Sequence, residues 1–568
     1  VDCVVEKEYV YNNRFKCIKG EQYWHDGHLE FPAGKQKEDG TYRTFFGPAP
    51  MHNGVIYANT DRNLALAIRR LTAVRKPEIP GYHELLYRNQ AKFIDEHKDW
   101  LLGMRERYTP YFSDWVSARM EAEAHHADPH PKRELRIQAW RELIETAHAN
   151  DPDHTWEITK NWWKLKLNEW AKSGKYPRTI VDLFTPASLL GFKLCERMKI
   201  AMAAEKIHIN GGDIWFIKSP EPGIMKEAFE MLYNPPGRFF FCYFSDDSVL
   251  AIRDKNGKVH WYCLDIVSCD TSHDARLFKA VGWTIPIVAL RDWKRVVAQC
   301  KSPLKLRSLV DKKVTVVVVP EDPLLKSGVT ATGLVNGVAD ELIPISISEC
   351  DYVDGESIRA ACERVGYIVT GWEQECEVFE DVQFLKHSPV RDRNGGWSAM
   401  LNLGCFLRAS GTCKGDLPGR GPLKERADAF QSGLLQGAYP RTNCTALDNM
   451  RQTYAHVKTP VMSDTFKWKV HDLGVEPTEF NMVDVHHDSR IVNAVDSSIY
   501  ARYRLDPAEI DYFENVFCRS GFQTFHNHSC LTKILDKDYS GMQTLASEKV
   551  QWHGQASREV PPVYTSGY

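Results

Sequence analysis

Residues 239–270 read FFFCYFSDDSVLAIRDKNGKVHWYCLDIVSCD, and this stretch decides the fold. A strongly apolar, aromatic strand runs into Ser245-Asp246-Asp247. Val249–Arg253 then reads as a second strand, Lys255-Asn256-Gly257 as a three-residue hairpin loop, and Val259–Leu264 as the returning strand. Gly257, last in the loop, suits the left-handed residue of a type I turn plus bulge. Asp247 and Asp265 each lie nine residues from Asn256, so a tight turn carries a second acid pair, Asp265 and Asp270, back to the first. An Asp-Asp pair in a turn is commonplace by itself. Four gathered carboxylates are not, because their mutual repulsion needs a cation. Adjacent acids on a strand–turn–strand, with another at the end of the neighbouring strand, are what two divalent cations need to clamp the attacking and leaving oxygens of a phosphoryl transfer.

Four other segments fit around this one. SGVTATGLVN, Ser327 to Asn336, begins 62 residues after Asp265 and follows a Ser-Gly-x-x-x-Thr-x-x-x-Asn pattern. Alone it is a capped helix start; its Gly328 allows a turn, and Thr332 and Asn336 lie one helical turn apart on one face. ESIRAACERVGYIVTGWEQE (356–375) reads as helix, Gly turn and strand, and EDVQFLKHSPV (380–390) follows it. Upstream, KLKLNEWAKSGKYPRTIVDLFTP (164–186) is basic through Lys164, Lys166, Lys172, Lys175 and Arg178. Arginine's planar fork binds phosphate oxygens in a bidentate manner, although a solvated basic helix carries the same charges.

Together these segments resemble the palm of viral RNA-dependent RNA polymerases, with SDD as motif C, the Asp265–Asp270 segment as motif A and Ser327–Asn336 as motif B. Residues 356–375 resemble motif D, 380–390 motif E, and 164–186 the fingertip motif F. The motif order is C-A-B, similar to the permuted polymerases of permutotetraviruses and birnaviruses within the picornavirus-like supergroup. Ser where many relatives have Gly before the two acids resembles coronavirus-type polymerases. Because motif A lies antiparallel to the second strand of the motif C hairpin in such palms, joining them directly requires only a short turn.

The resemblance implies an α+β right-hand polymerase of fingers, palm and thumb, with a ferredoxin-like antiparallel palm sheet and permuted connectivity. The divisions expected are an N-terminal extension and fingers over 1–235, palm over 236–284, fingers again over 285–325, palm over 326–390, and a thumb with C-terminal region over 391–568. It also implies roles. Asp246 and Asp265 would be the principal ligands of two Mg²⁺ or Mn²⁺ ions, with Asp247 assisting. Asp270 and Asn336, with Ser327, Gly328 and Thr332, would bind the nucleotide and read its ribose; a carboxylate suits that task because it accepts a hydrogen bond from the 2′-hydroxyl. Lys175 and Arg178 would bind the triphosphate, and Phe384-Leu385-Lys386 would grip the primer. Expected partners are template and nascent RNA, nucleoside triphosphates and other viral replication proteins, in a replication complex of the host cytoplasm or packaged in the virion. One departure stands out: the family's motif D lysine, general acid toward pyrophosphate, has no counterpart in GYIVTGWEQECE.

Composition sets the remaining limits. At 568 residues, with 43% hydrophobic and 26% charged residues, the chain is of ordinary globular make-up. A net charge of −3 means that any nucleic-acid channel must arise by segregating the 72 basic residues. Fifteen cysteines without a CxxC pair fit reduced thiols. No apolar run reaches the roughly 18 residues of a membrane span. A start at Val1 is expected of a chain cut from a polyprotein or otherwise trimmed. His526, His528 and Cys530, and His125, His126 and His130, lack the regular four-ligand spacing of structural zinc and read as turn and packing residues. The rival readings are a reverse transcriptase, which should lack an Asp–Asn sugar-reading pair, and a non-catalytic RNA-binding or structural protein with a vestigial palm.

Overall fold

A computed structural model describes residues 13–35, 54–72, 81–115, 162–408, 494–520 and 525–540, apart from a few positions within these ranges. It also describes short isolated stretches, among them 41–43, 412–414 and 563–565. The chain is α+β, and the elements that position the site are six strands and six helices. The strands are β1 (Ile207–Ile209), β2 (Gly212–Phe216), β3 (Phe239–Phe244), β4 (Asp247–Arg253), β5 (Val259–Ile266) and β6 (Val369–Thr370). The helices are α1 (Asp61–Thr72), α2 (Thr185–Ala204), α3 (Pro222–Tyr233), α4 (Ala275–Thr284), α5 (Thr332–Ser348) and α6 (Gly355–Arg364).

The strands form one sheet in the order β6-β5-β4-β3-β2-β1. β3, β4 and β5 are consecutive antiparallel neighbours. The expectation of an antiparallel sheet needs correction at one place: β2 and β3 run parallel, joined through α3. A parallel pair needs such a crossover connection, which is why α3 stands between them in sequence.

Both sheet faces are covered, so the aromatic run of β3 is apolar at every position. Phe239, Phe241 and Tyr243 face the large core that also holds Leu334, Val338 and Leu342 of α5. Phe240 and Cys242 face a second core with Met225, Phe229 and Leu232 of α3 and with Phe384 and Trp397. The β4–β5 loop closes as the sequence suggests. Arg253 pairs with Val259, and Gly257 has φ 82°. Asp254 locks the loop, its Oδ1 accepting from Asn256 N at 2.8 Å and Lys258 N at 2.9 Å.

A five-stranded sheet was not legible beforehand. It orders Phe15–Lys19, Thr315–Pro320, Leu304–Arg307, Trp162–Leu165 and Thr179–Asp182, and so unites segments scattered along the chain. Among the described residues no helix is long and apolar enough to cross a membrane.

The C-terminal region is fastened to the segment around residue 381 by a buried ion pair. Arg502 Nε donates to Asp538 Oδ1 at 3.1 Å and Arg502 Nη1 to the Asp381 carbonyl at 2.8 Å. Asp538 Oδ2 accepts from Tyr503 Oη and from Gly404 N, both at 2.7 Å. Removing one partner of a buried pair strands the other charge, at a cost of about 3–5 kcal/mol. Asp538→Ala is therefore expected to lower the free energy of unfolding by about that amount, measured by urea denaturation.

Candidate active site

The site assembles where β3 turns into β4. Phe244 pairs with Asp247, leaving Ser245 and Asp246 as a two-residue loop. Ser245 has φ 54°, at a loop position where glycine is usual, because only a residue tolerating positive φ fits there. Asp247 and Asp265 are cross-strand partners in β4 and β5, so the count outward from Asn256 holds in register. A direct cross-strand pair of like charges opposes sheet formation unless something offsets it.

The strain registers in the acids themselves. Asp247 is pushed up to about 8, first by desolvation and then by Cys263, Asp265 and Asp246, against a hydrogen bond from Leu385 N. Asp265 is exposed; desolvation, then Asp246, push it up to about 7, with Lys175 and Arg178 opposing. Asp270 is raised by burial, while Asn336, Arg178 and Arg70 pull it down. Beneath them lies Asp340, one turn after Asn336 on α5. It is fully buried and held well above the carboxylate range by desolvation and by Asp246, Asp247 and Asp265. Neither of its carboxylate oxygens has a hydrogen-bond partner among the described residues.

The Ser327–Asn336 segment reaches the acids from the other side of the sheet. Asn336 Nδ2 donates to Asp270 Oδ1 at 2.7 Å and to Ser245 Oγ at 3.2 Å, joining three distant segments. The Ser327-Gly328 turn is braced against the end of the basic segment, with Val181 N donating to Ser327 O at 2.9 Å. Gly328 has φ 100°, and a Cβ there would come within 2.8 Å of Val181 O. Thr332 Oγ1 donates to Lys326 O at 3.1 Å. Lys326, which sequence reasoning passed over, is fully buried. Its ammonium donates to Gln299 O, Ser302 O and Ser302 Oγ at 2.8–3.0 Å, and desolvation draws it down to about 7.

Lys175 and Arg178 act electrostatically on Asp265, and Arg178 also acts on Asp270, so the basic segment faces the acids. Lys175 is lowered by desolvation, then by Lys172 and Arg70. Arg70 on α1, unmarked by any motif, joins them by donating to Tyr176 O at 3.3 Å. Lys166 and Arg178 both pair with Glu169.

Phe384-Leu385-Lys386 makes a tight turn in which Phe384 and His387 exchange backbone hydrogen bonds. Leu385 and Lys386 both have positive φ, 51° and 61°, in a two-residue turn where Asn-Gly is usual. This costly geometry aims Leu385 N at Asp247 Oδ2, 2.8 Å away. Lys386 turns away toward the C-terminal region, its ammonium on Asp538 O at 3.2 Å and over Tyr539.

The His526, His528 and Cys530 group has local packing partners. His526 Nδ1 meets Tyr512 Oη at 2.6 Å, while His528 stacks on Tyr512 and accepts from Cys530 N. His125, His126 and His130 lie outside the described residues.

No protein-family model matches this sequence, and no curated protein matches it. Among solved structures, one titled as a birnavirus VP1–VP3 complex is similar over 74% of this chain and 65% of that one, at 12% identity and a TM-score of 0.40. A second, the RNA polymerase VP1 from Infectious Pancreatic Necrosis Virus, is similar over 72% of this chain and 60% of that one, at 14% identity and a TM-score of 0.39. The chain thus spans under two thirds of the length of each.

Among the described residues no group of three or more acids, histidines or cysteines stands close enough to hold a metal ion, so the case for a cation rests on the chemistry of the acids themselves. Asp246, Asp247 and Asp265 offer hard anionic oxygens of the kind Mg²⁺ and Mn²⁺ take; Asp265 and Asp246 both raise Asp247, and Asp246 raises Asp265. Their pKa values set the sign of a pH effect. Below about pH 4 these acids are protonated whether the chain is folded or not, and carry no penalty. As pH rises toward about 7 and 8, the unfolded chain releases protons that folded Asp265 and Asp247 retain, so stability falls across that window. A cation competes with those protons. Adding Mn²⁺ is expected to raise the thermal midpoint, and to raise it more at pH 8 than at pH 6, in a calorimetric titration; Asp265→Asn should remove most of the increment.

Proposed function

We propose that this chain is an RNA-directed RNA polymerase, joining the 3′-hydroxyl of an RNA to the α-phosphate of a template-selected nucleoside triphosphate with release of pyrophosphate. The observation that carries the reading is the in-register pairing of Asp247 with Asp265, beside Asp246 and within reach of Lys175 and Arg178. Acids and bases from separate segments that face one another suit a triphosphate chelated to cations.

Each group has a part. Asp246, Asp247 and Asp265 would hold two Mg²⁺ or Mn²⁺ ions, which when bound stabilise charge on the attacking and leaving oxygens. Leu385 N, by donating to Asp247, keeps that carboxylate turned toward the cluster. Lys175 and Arg178 neutralise the triphosphate, with Arg70 adding to the field. Asp270 accepts from the ribose 2′-hydroxyl while Asn336 holds its other side, which favours ribonucleotides and disfavours a reverse transcriptase. Phe384-Leu385-Lys386 takes the primer strand where the palm meets the thumb. The right-hand division, with residues 391–568 as thumb and the fingers split around the palm, belongs to the same proposal, as do RNA and viral replication proteins as partners in a cytoplasmic replication complex.

The decisive experiment is incorporation of labelled nucleotide on a short RNA template with Mn²⁺. Asp246→Asn and Asp265→Asn are each expected to cut incorporation by at least about 100-fold while the circular dichroism spectrum stays native. Activity near the wild-type level in either variant refutes the assignment. Asn336→Ala should lower the preference for ribo- over deoxyribonucleotides by the worth of a hydrogen bond, about 1–3 kcal/mol, read as the ratio of kcat/KM values.

A further inference from the structure

We propose that His273 is a positioning residue that holds the Asn336 amide in the one orientation able to read a ribose, an inference that rests on the polymerase reading above. His273 follows the short helical turn Asp270–Ser272 and is 1% exposed. Its Nε2 lies 2.6 Å from Asn336 Oδ1, and its Nδ1 lies 2.8 Å from Tyr367 Oη. Cys269 Sγ also donates to Asn336 Oδ1, at 3.2 Å. No motif predicted this. The signal was a buried histidine three residues after Asp270 in sequence, with nothing nearby to say what it meets.

The physical need comes from the symmetry of an amide. Asn336 can turn over by half a rotation at almost no steric cost, exchanging its oxygen and nitrogen. Only one orientation presents N–H groups to Asp270 Oδ1 and Ser245 Oγ, as seen here. In the other, the carbonyl would point at the Asp270 carboxyl, and the sugar-reading pair would lose its geometry. Ser245 cannot choose between them, because a hydroxyl both donates and accepts. His273 does choose. The carbonyl of Asn336 can only accept, so Nε2 carries the proton and Nδ1 accepts from the Tyr367 hydroxyl. A flipped amide would require the other His273 tautomer, with the Tyr367 hydroxyl turned to accept, as well as a carbonyl set against Asp270.

The donors then run in one direction, Tyr367 to His273 to Asn336 to Asp270, and each bond polarises the next. Tyr367, wholly buried just before β6, anchors the chain from the opposite side of the site. Ribose selection would thus be set two residues deep, by groups that never touch the nucleotide.

The test compares kcat/KM for a ribonucleotide and its deoxy counterpart on the full chain with Mn²⁺. His273→Phe keeps a ring against Tyr367 but removes both hydrogen bonds, and is expected to reduce the ribo-to-deoxy ratio by about 5- to 50-fold while deoxyribonucleotide use changes little. His273→Gln, whose amide nitrogen can stand where Nε2 stands, should recover most of the ratio. In an Asn336→Ala background His273→Phe should have no further effect, a result that mere destabilisation would not give. An unchanged ratio in His273→Phe, or losses that add to those of Asn336→Ala, overturns the inference and leaves the polymerase reading intact. Should His273→Phe fail to fold, Tyr367→Phe takes its place, and an unchanged ratio there overturns the inference equally. A wild-type chain that incorporates nothing, or an Asp246→Asn chain that incorporates as well as wild type, overturns the polymerase reading and this inference with it.

Discussion

Everything in the site depends on one unfavourable contact, Asp247 opposite Asp265 across an antiparallel pair. A sheet would ordinarily avoid it, since like charges directly opposite destabilise the pairing. The register cannot slip to relieve it. A shift of one residue in β5 would turn Tyr262, Leu264 and Ile266 out of the large core and bring Trp261 and Cys263 into it. Burial on both faces therefore forces the two carboxylates together, and the tight loop stapled by Asp254 removes the remaining slack. The fold stores the repulsion, which the cations proposed above would relieve.

The local part of this could be read in advance. The Asn256-centred count gave the Asp247–Asp265 register because a hairpin's geometry is contained in its own residues. The Asn336–Asp270 hydrogen bond could be anticipated only through resemblance, since no local rule connects residues 66 positions apart in the chain. Arg70 and Lys326 escaped because their roles come from burial and direction. A lysine beside Ser327 reads as solvated charge until its three acceptors are seen converging on it. The parallel pairing of β2 with β3 and the five-stranded sheet escaped for a related reason: edge order depends on which surfaces are left to cover, and strand patterns alone do not record it.

Two kinds of polar burial coexist within a few residues. The Tyr367–His273–Asn336–Asp270 chain has a partner at every step, and such a network specifies one arrangement of its members. Asp340, on the same helix as Asn336, has none among the described residues, and burial and the acids above it push its carboxyl well above the ordinary range. It leaves the interior beneath Asp246, Asp247 and Asp265 polar, which an aliphatic side chain would not.

The division between local and distant contacts also bears on how such a site holds together as the chain folds. Asp246 sits in the loop between β3 and β4, and Asp247 and Asp265 lie on the consecutive strands β4 and β5, so only short loops, which cost little entropy to close, bring the three together. The groups proposed to choose the substrate, Asn336, Lys175 and Arg178, arrive from segments separated from these strands by tens of residues, and their placement requires the whole core around α5. The acid cluster and the groups proposed to choose the substrate thus rest on structures of different order. The cluster needs only the hairpins to be in register, whereas selection needs the Ser327-Gly328 turn against Val181 and the buried chain through His273 to be complete. A lesion in the distant contacts should accordingly loosen selection before it disturbs the acids.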